Sequence, residues 1–153
     1  MIGIDLVDLK QAKKDCNWQR KGYLNKIFTS DEQELIYNYE DPNLMVWLLW
    51  SMKEAAYKVW STTTGQRIYA PTSLLCGGMV HSHIISAVVT DSDDQYFTQS
   101  NLTEDYIYTI ATREPSQLTN VSVKLSNSAK EYRHPAPIQS RSHHGRYLAT
   151  AWL

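Results

Sequence analysis

Asp41-Pro42-Asn43-Leu44-Met45-Val46-Trp47-Leu48-Leu49-Trp50-Ser51-Met52-Lys53-Glu54-Ala55-Ala56-Tyr57-Lys58-Val59-Trp60-Ser61 is the stretch that decides the fold. Asp41 suits an N-cap, where a side-chain oxygen takes up a free amide, and Pro42 suits the first helical position, where its missing N–H costs nothing. The apolar residues Met45, Leu48, Leu49, Met52, Ala55, Ala56 and Val59 recur at three- and four-residue spacing, as they must if one face is turned into a core. A helix is therefore predicted over residues 43 to 61, the longest in the chain. On its other face Glu54 and Lys58 stand four apart and project from the same side. An ordinary solvated ion pair has that spacing too, and is worth only roughly 0.2–0.5 kcal/mol.

Outward from this helix, Ser30-Asp31-Glu32-Gln33 reads as a capping box that opens a shorter helix over residues 31 to 39. After Thr64-Gly65 the pattern turns to β-branched runs at residues 74–76, 84–90, 95–98 and 106–112, parted by turns rich in Asp, Ser and Asn. These form a meander of antiparallel strands. A short helix is predicted over residues 128–132, ahead of Pro135 and Pro137, and a closing strand over residues 147–153. At the other end, residues 2–7 read as a strand that is expected to join the same sheet. The fold class is α+β, with a long helix packed on an antiparallel sheet, in one domain over residues 1–153.

Composition narrows the function classes. Hydrophobic residues make up 42% of the 153 and charged residues 20%, with five Trp and ten Tyr, a balance that supports one globular core and argues against disorder or a fibrous repeat. Cys16 and Cys76 lie outside any zinc or disulfide spacing and read as free thiols. Met1-Ile2-Gly3-Ile4-Asp5 has no basic stretch of the kind that opens a secretory signal, and the longest apolar run, residues 44–50, is too short to span a bilayer. A cytoplasmic protein is expected. A net charge of −1 speaks against a broadly basic nucleic-acid binder. The charges are nonetheless uneven: six basic residues against Asp15 fall between Lys10 and Lys26, and five against Glu131 between Lys124 and Arg146. Each stretch is either an anion-facing surface or a solvated face.

Gly3-Ile4-Asp5 sets an acid in the middle of an apolar strand, with Asp8 three residues on. A carboxylate buried there needs a cation, a donor network or an ion pair. Together these features resemble the 4′-phosphopantetheinyl transferases of the single-module holo-acyl-carrier-protein synthase type. That family carries G-[IV]-D at the end of a first strand and [FW]-[SC]-x-K-E-[AS]-x-x-K on a long helix, and this chain reads GID at residues 3 to 5 and WSMKEAAYK at residues 50 to 58. Ser140-Arg141-Ser142-His143, followed by Tyr147 and Ala149, resembles the S-x-S-H segment before that branch's closing strand. Phe28-Thr29 with Glu32 resembles its F-[ST]-x-x-E stretch, while residues 70 to 125 match only in pattern.

The resemblance implies transfer of the 4′-phosphopantetheine arm of coenzyme A to a serine of an apo acyl or peptidyl carrier protein, with release of 3′,5′-ADP and dependence on Mg²⁺. It assigns Asp5 and Glu54 to the metal, a hard cation that neutralises the pyrophosphate and takes oxygen ligands. Asp8 either ligates it, acts through water or orients its neighbours. Lys58 either stabilises charge on the departing nucleotide or protonates it, and the base is either Glu54 or a water positioned by Asp5. For coenzyme A, His143 resembles the family histidine that contacts a phosphate, whereas His144 has no motif counterpart and is expected at the surface. Lys53 either reaches the ribose 3′-phosphate or is solvated, and Arg67 either helps bind the adenosine phosphates or is an exposed turn arginine.

Of the two readings of the basic cluster from Lys10 to Lys26, the resemblance implies the docking face for an acidic carrier, with Gln11 where the family has arginine. With a single copy of each motif, the resemblance to the single-module members implies a homo-oligomer, a trimer favoured, in which His143 completes a neighbour's site. The competing reading is a non-catalytic module of the same fold that grips coenzyme A or a carrier. A different phosphotransferase finds no support, since there is no Gly-rich phosphate loop or G-K-[ST].

Overall fold

The long helix runs over Pro42–Thr64 (α4), capped by the Asp41 side chain, which accepts from the Leu44 amide, and ending at Gly65. Its predicted stripe, Met45, Leu48, Leu49, Met52, Ala55, Ala56 and Val59, is wholly buried. The computed structural model describes residues 1–127 and 137–153, so the helix expected over residues 128–132 lies outside the described residues.

Before α4 come a strand at Ile2–Asp8 (β1) and helices at Leu9–Asp15 (α1), Tyr23–Ile27 (α2) and Ser30–Asn38 (α3). After it come strands at Leu75–Val80 (β2), Ile85–Asp91 (β3), Asp94–Leu102 (β4) and Tyr106–Thr112 (β5), then a 3-10 turn at Pro115–Asn120. Strands Ser122–Asn127 (β6), Ser140–His144 (β7) and Tyr147–Trp152 (β8) complete the described chain. The large sheet is ordered β1-β5-β4-β3-β2, with β1 antiparallel to β5, so the N-terminal strand joins the meander as expected. The small sheet, ordered β6-β8-β7, is an addition: the sequence pointed to β8 alone.

These parts form three layers, with β1 at their meeting point. α4 covers one face of the large sheet, where Val89, Tyr96, Ile107 and Ala111 join its stripe in the main core. The small sheet covers the other face, where Ala149 and Ala151 pack on Ile2, Ile4, Leu6 and Ile110. Alternate residues of a strand point to opposite faces. Gly3 and Asp5 therefore turn to α4 while Ile2, Ile4 and Leu6 turn to the small sheet.

The capping box sits one residue earlier than the sequence suggested. Thr29, not Ser30, caps α3: its hydroxyl accepts from the Glu32 amide at 3.3 Å while Glu32 accepts from the Thr29 amide at 3.0 Å. Thr29-x-x-Glu32 and Ser30-x-x-Gln33 satisfy the same pattern, and the choice falls to Glu32 because its carboxylate is also tied to α4 and β2. It pairs with Lys53 at 2.8 Å and accepts from the Cys76 amide at 2.9 Å.

Candidate active site

Gly3 brings the two motifs together. A Cβ at this position would sit 2.2 Å from the Ala55 carbonyl oxygen, so only glycine lets β1 lie this close to the backbone of α4. Two residues on, Asp5 reaches the helix: Lys58 Nζ donates to Asp5 Oδ1 at 3.2 Å and to the Ile4 carbonyl at 2.7 Å. The ion pair of Lys58 is thus with the strand's acid rather than with Glu54 one turn back.

Asp5 is held from its other side by β7. Ser142 Oγ donates to Asp5 Oδ1 at 3.1 Å and accepts from the Leu6 amide at 3.1 Å. The neighbouring outward amides of β1 are closed in the same way, Ile4 N–H by Ser140 Oγ at 3.0 Å and Asp8 N–H by His144 Nδ1 at 2.9 Å. Side chains from every second residue of β7 thereby satisfy an edge that would otherwise leave buried donors unpaired.

Asp5, Glu54, Ser142 and His143 line one cleft of about 360 Å³, walled further by Trp47, Trp50, Ala12, Cys16 and Tyr23. The cleft is acidic, since Asp15 also borders it. Burial holds the Glu54 carboxyl above the usual carboxylate range, and the nearby charge of Asp5 pushes the same way; the Tyr69 hydroxyl and Lys58 partly offset them. Two mutually repelling carboxylates on one cavity are a donor set that suits a hard cation. Among the described residues no group of three or more His, Cys, Asp or Glu converges on a single point, so a cation held by these two carboxylates would need further ligands from water or substrate, a mix that Mg²⁺ accepts. Both hydrogen bonds to Asp5 among the described residues fall on Oδ1, leaving Oδ2 for such an ion.

Other candidates lie elsewhere. Asp8 is fully buried and caps α1, accepting at Oδ1 from the Lys10 and Gln11 amides at 3.1 and 3.2 Å. The Arg146 guanidinium grips both of its oxygens, at 2.9 and 3.0 Å, and the Arg146 amide adds a third bond at 2.9 Å. These bonds hold the Asp8 carboxyl far below the usual range against the opposing effect of burial, and they use the lone pairs a metal would need. Asp8 thus joins α1, β1 and the β7–β8 turn.

Lys53 is neither solvated nor turned to the cleft. It is 0% exposed, and its three ammonium hydrogens meet Glu32 Oε2 at 2.8 Å, the Pro71 carbonyl at 2.7 Å and the Leu74 carbonyl at 2.6 Å. An ammonium with three acceptors has no donor left for a phosphate. Arg67 is exposed on the loop after α4 and does not border the cleft. His143 lines the cleft of its own chain, so it stands beside Asp5 and Glu54 without a neighbouring copy. His144 borders the same cleft and is half-buried, contrary to the expectation of a surface residue, because its ring nitrogen serves the β1 edge. Sequence reasoning passed over Tyr69 and counted Arg146 only as part of a basic stretch, not as the partner of Asp8; the alternation Ser140, Ser142, His144 was the available sign of a strand with a polar face.

A family model described as the 4′-phosphopantetheinyl transferase superfamily matches residues 1–111. The chain belongs to that superfamily. The matched span contains β1, α4 and all but the last residue of the large sheet, and therefore Asp5, Glu54 and Lys58. β7, which completes this superfamily member's cleft with Ser142 and His143, lies beyond it. No curated protein sequence matches the chain.

Proposed function

We propose that the protein transfers 4′-phosphopantetheine from coenzyme A to the serine hydroxyl of an apo acyl or peptidyl carrier protein, in a Mg²⁺-dependent reaction that releases 3′,5′-ADP. The observation that carries this reading is the meeting of Asp5 and Glu54 in one cleft, on the two elements that bear the family motifs. When bound, Mg²⁺ supplies charge neutralisation at the pyrophosphate. Asp5 and Glu54 hold it through carboxylate oxygens, Ser142 and Lys58 fixing the first of these from opposite sides.

The remaining tasks fall to side chains around the cleft. His143 contacts a phosphate of coenzyme A. Lys58, with two of its three hydrogens used on Ile4 and Asp5 among the described residues, retains one to stabilise charge on the departing nucleotide. A base for the incoming serine is available either in Glu54 or in a water positioned by Asp5. α1 supplies Ala12 and Asp15 to the cleft wall and exposes Lys10, Lys13 and Lys14 beside it, so an acidic carrier helix docking there would present its serine to the cleft. A cleft with three acids and few cations also favours a homo-oligomer, a trimer, in which a second copy adds positive charge near the phosphates. The whole chain acts as one transferase domain, in the cytoplasm; among the described residues no helix is long and apolar enough to cross a membrane.

Incubation of the protein with an apo carrier, coenzyme A and Mg²⁺, followed by intact mass measurement, tests the reading. One phosphopantetheine added per carrier, abolished by chelation, is expected. Tight coenzyme A binding with no arm added to any acyl or peptidyl carrier would instead fit a non-catalytic module.

A further inference from the structure

The loop over residues 65–74 bears no motif, yet it packs against the side of α4 that carries Glu54. Its Tyr69 ring meets Tyr57 edge-on at 4.8 Å between centroids and Trp50 at 6.1 Å, residues that stand roughly one helical turn to either side of Glu54. The Tyr69 hydroxyl is buried and has no hydrogen-bond partner at ordinary geometry among the described residues. An unpaired buried hydroxyl is costly, and the polar group it faces is the Glu54 carboxylate. The loop itself is tethered: Lys53, about a quarter-turn around α4 from Glu54, donates to the Pro71 and Leu74 carbonyls, while Glu32 fixes Lys53 and the start of β2 together.

We propose that Tyr69 is a positioning residue for Glu54, its hydroxyl donating to one carboxylate oxygen so that the other is aimed into the cleft, and that buried Lys53 holds Tyr69 in place through the loop. This rests on the proposed function, since it assigns Glu54 an oxygen for Mg²⁺. The lysine of the WSMKEAAYK motif then acts on the cleft without touching anything bound there. A donor on one oxygen fixes the torsion of a carboxylate that is otherwise free to rotate, and supporting contacts of this kind commonly change metal affinity by about 10–100-fold. Tyr69 suits the task because a phenol carries its proton at neutral pH and is therefore a donor.

Tyr69→Phe keeps the ring and deletes the oxygen. Calorimetric titration with Mg²⁺ in the presence of coenzyme A should show affinity lowered about 10–100-fold, and transfer assays should show a lower kcat with an unchanged KM for the carrier. Thermal melting of the metal-free variant should stay close to the wild-type midpoint, because the ring and its packing are kept. Lys53→Met should reproduce the Mg²⁺ defect, and Tyr69→Phe added to it should cost nothing more. Wild-type Mg²⁺ affinity and kcat in Tyr69→Phe would overturn the positioning role while leaving the proposed function intact. A wild-type protein that neither binds Mg²⁺ nor transfers the arm would overturn both.

Discussion

Two aspartates three residues apart on β1 have opposite fates, and parity explains why. Asp5 turns to α4 and the cleft, with one oxygen left free among the described residues; Asp8 turns to the small sheet, where Arg146 and two α1 amides enclose it. Gly145, at φ 52° in the β7–β8 turn, is what lets the Arg146 amide approach, since a Cβ there would stand 2.5 Å from Asp8 Oδ2. Asp8→Asn should therefore lower stability by about 1.5–3 kcal/mol at neutral pH, the range for hydrogen bonds to a charged group, without abolishing Mg²⁺ binding. The folded-state pKa of Asp8 is depressed, so its stabilisation is fully present above the ordinary carboxylate range and is lost as pH falls through the lower folded value. Urea melts across that window should show the gap between wild type and Asp8→Asn closing as pH drops below about 4. A gap that stays constant would remove the charge from the account.

At the scale of elements, the sequence was most legible where a single local pattern decided the outcome. The apolar stripe of α4 and the cap at Asp41 place that helix with no help from the rest of the chain. It was least legible where a distant partner decides. Two adjacent registers offered a capping box, and only the bonds from Glu32 to Lys53 and Cys76 select one. Lys53 projects away from Glu54 by helix geometry, but nothing local says that α3 and the loop over residues 65–74 would wait there with three acceptors. β7 was hidden because Ser140, Ser142 and His144 face backbone amides of β1 rather than an apolar core, so the strand lacks apolar alternation. The contact between β1 and α4 is the element on which the cleft depends. Gly3→Ala forces these two apart, and should cost about 1–3 kcal/mol or more, read by denaturant titration. Transfer activity should fall further than the remaining folded fraction explains, because Asp5 moves with the strand; activity in proportion to folded protein would count against the close approach as the device that builds the site.

For the molecule as a whole, three layers converge on one strand, and the cleft opens where α1, α4, β1 and β7 meet. The family match covers the first two layers, while the small sheet supplies the clasp on Asp5 and the cleft histidines. The exposed lysines of α1 share a helix with Ala12 and Asp15 of the cleft wall, so charge reversal there should act on encounter rather than chemistry. Lys13→Glu with Lys14→Glu should raise KM for the carrier by about tenfold at low salt, with kcat and coenzyme A binding unchanged and the defect shrinking as salt screens the surface. An equal loss at high salt would move carrier docking to another face. The central claim is that Asp5 and Glu54 act on one ion, and a double-mutant cycle on Mg²⁺ affinity, measured calorimetrically with coenzyme A present, tests it most directly. If the two carboxylates share the ion, Asp5→Asn and Glu54→Gln each weaken binding severely and the double variant is little worse than the poorer single; independent losses that add would contradict the account.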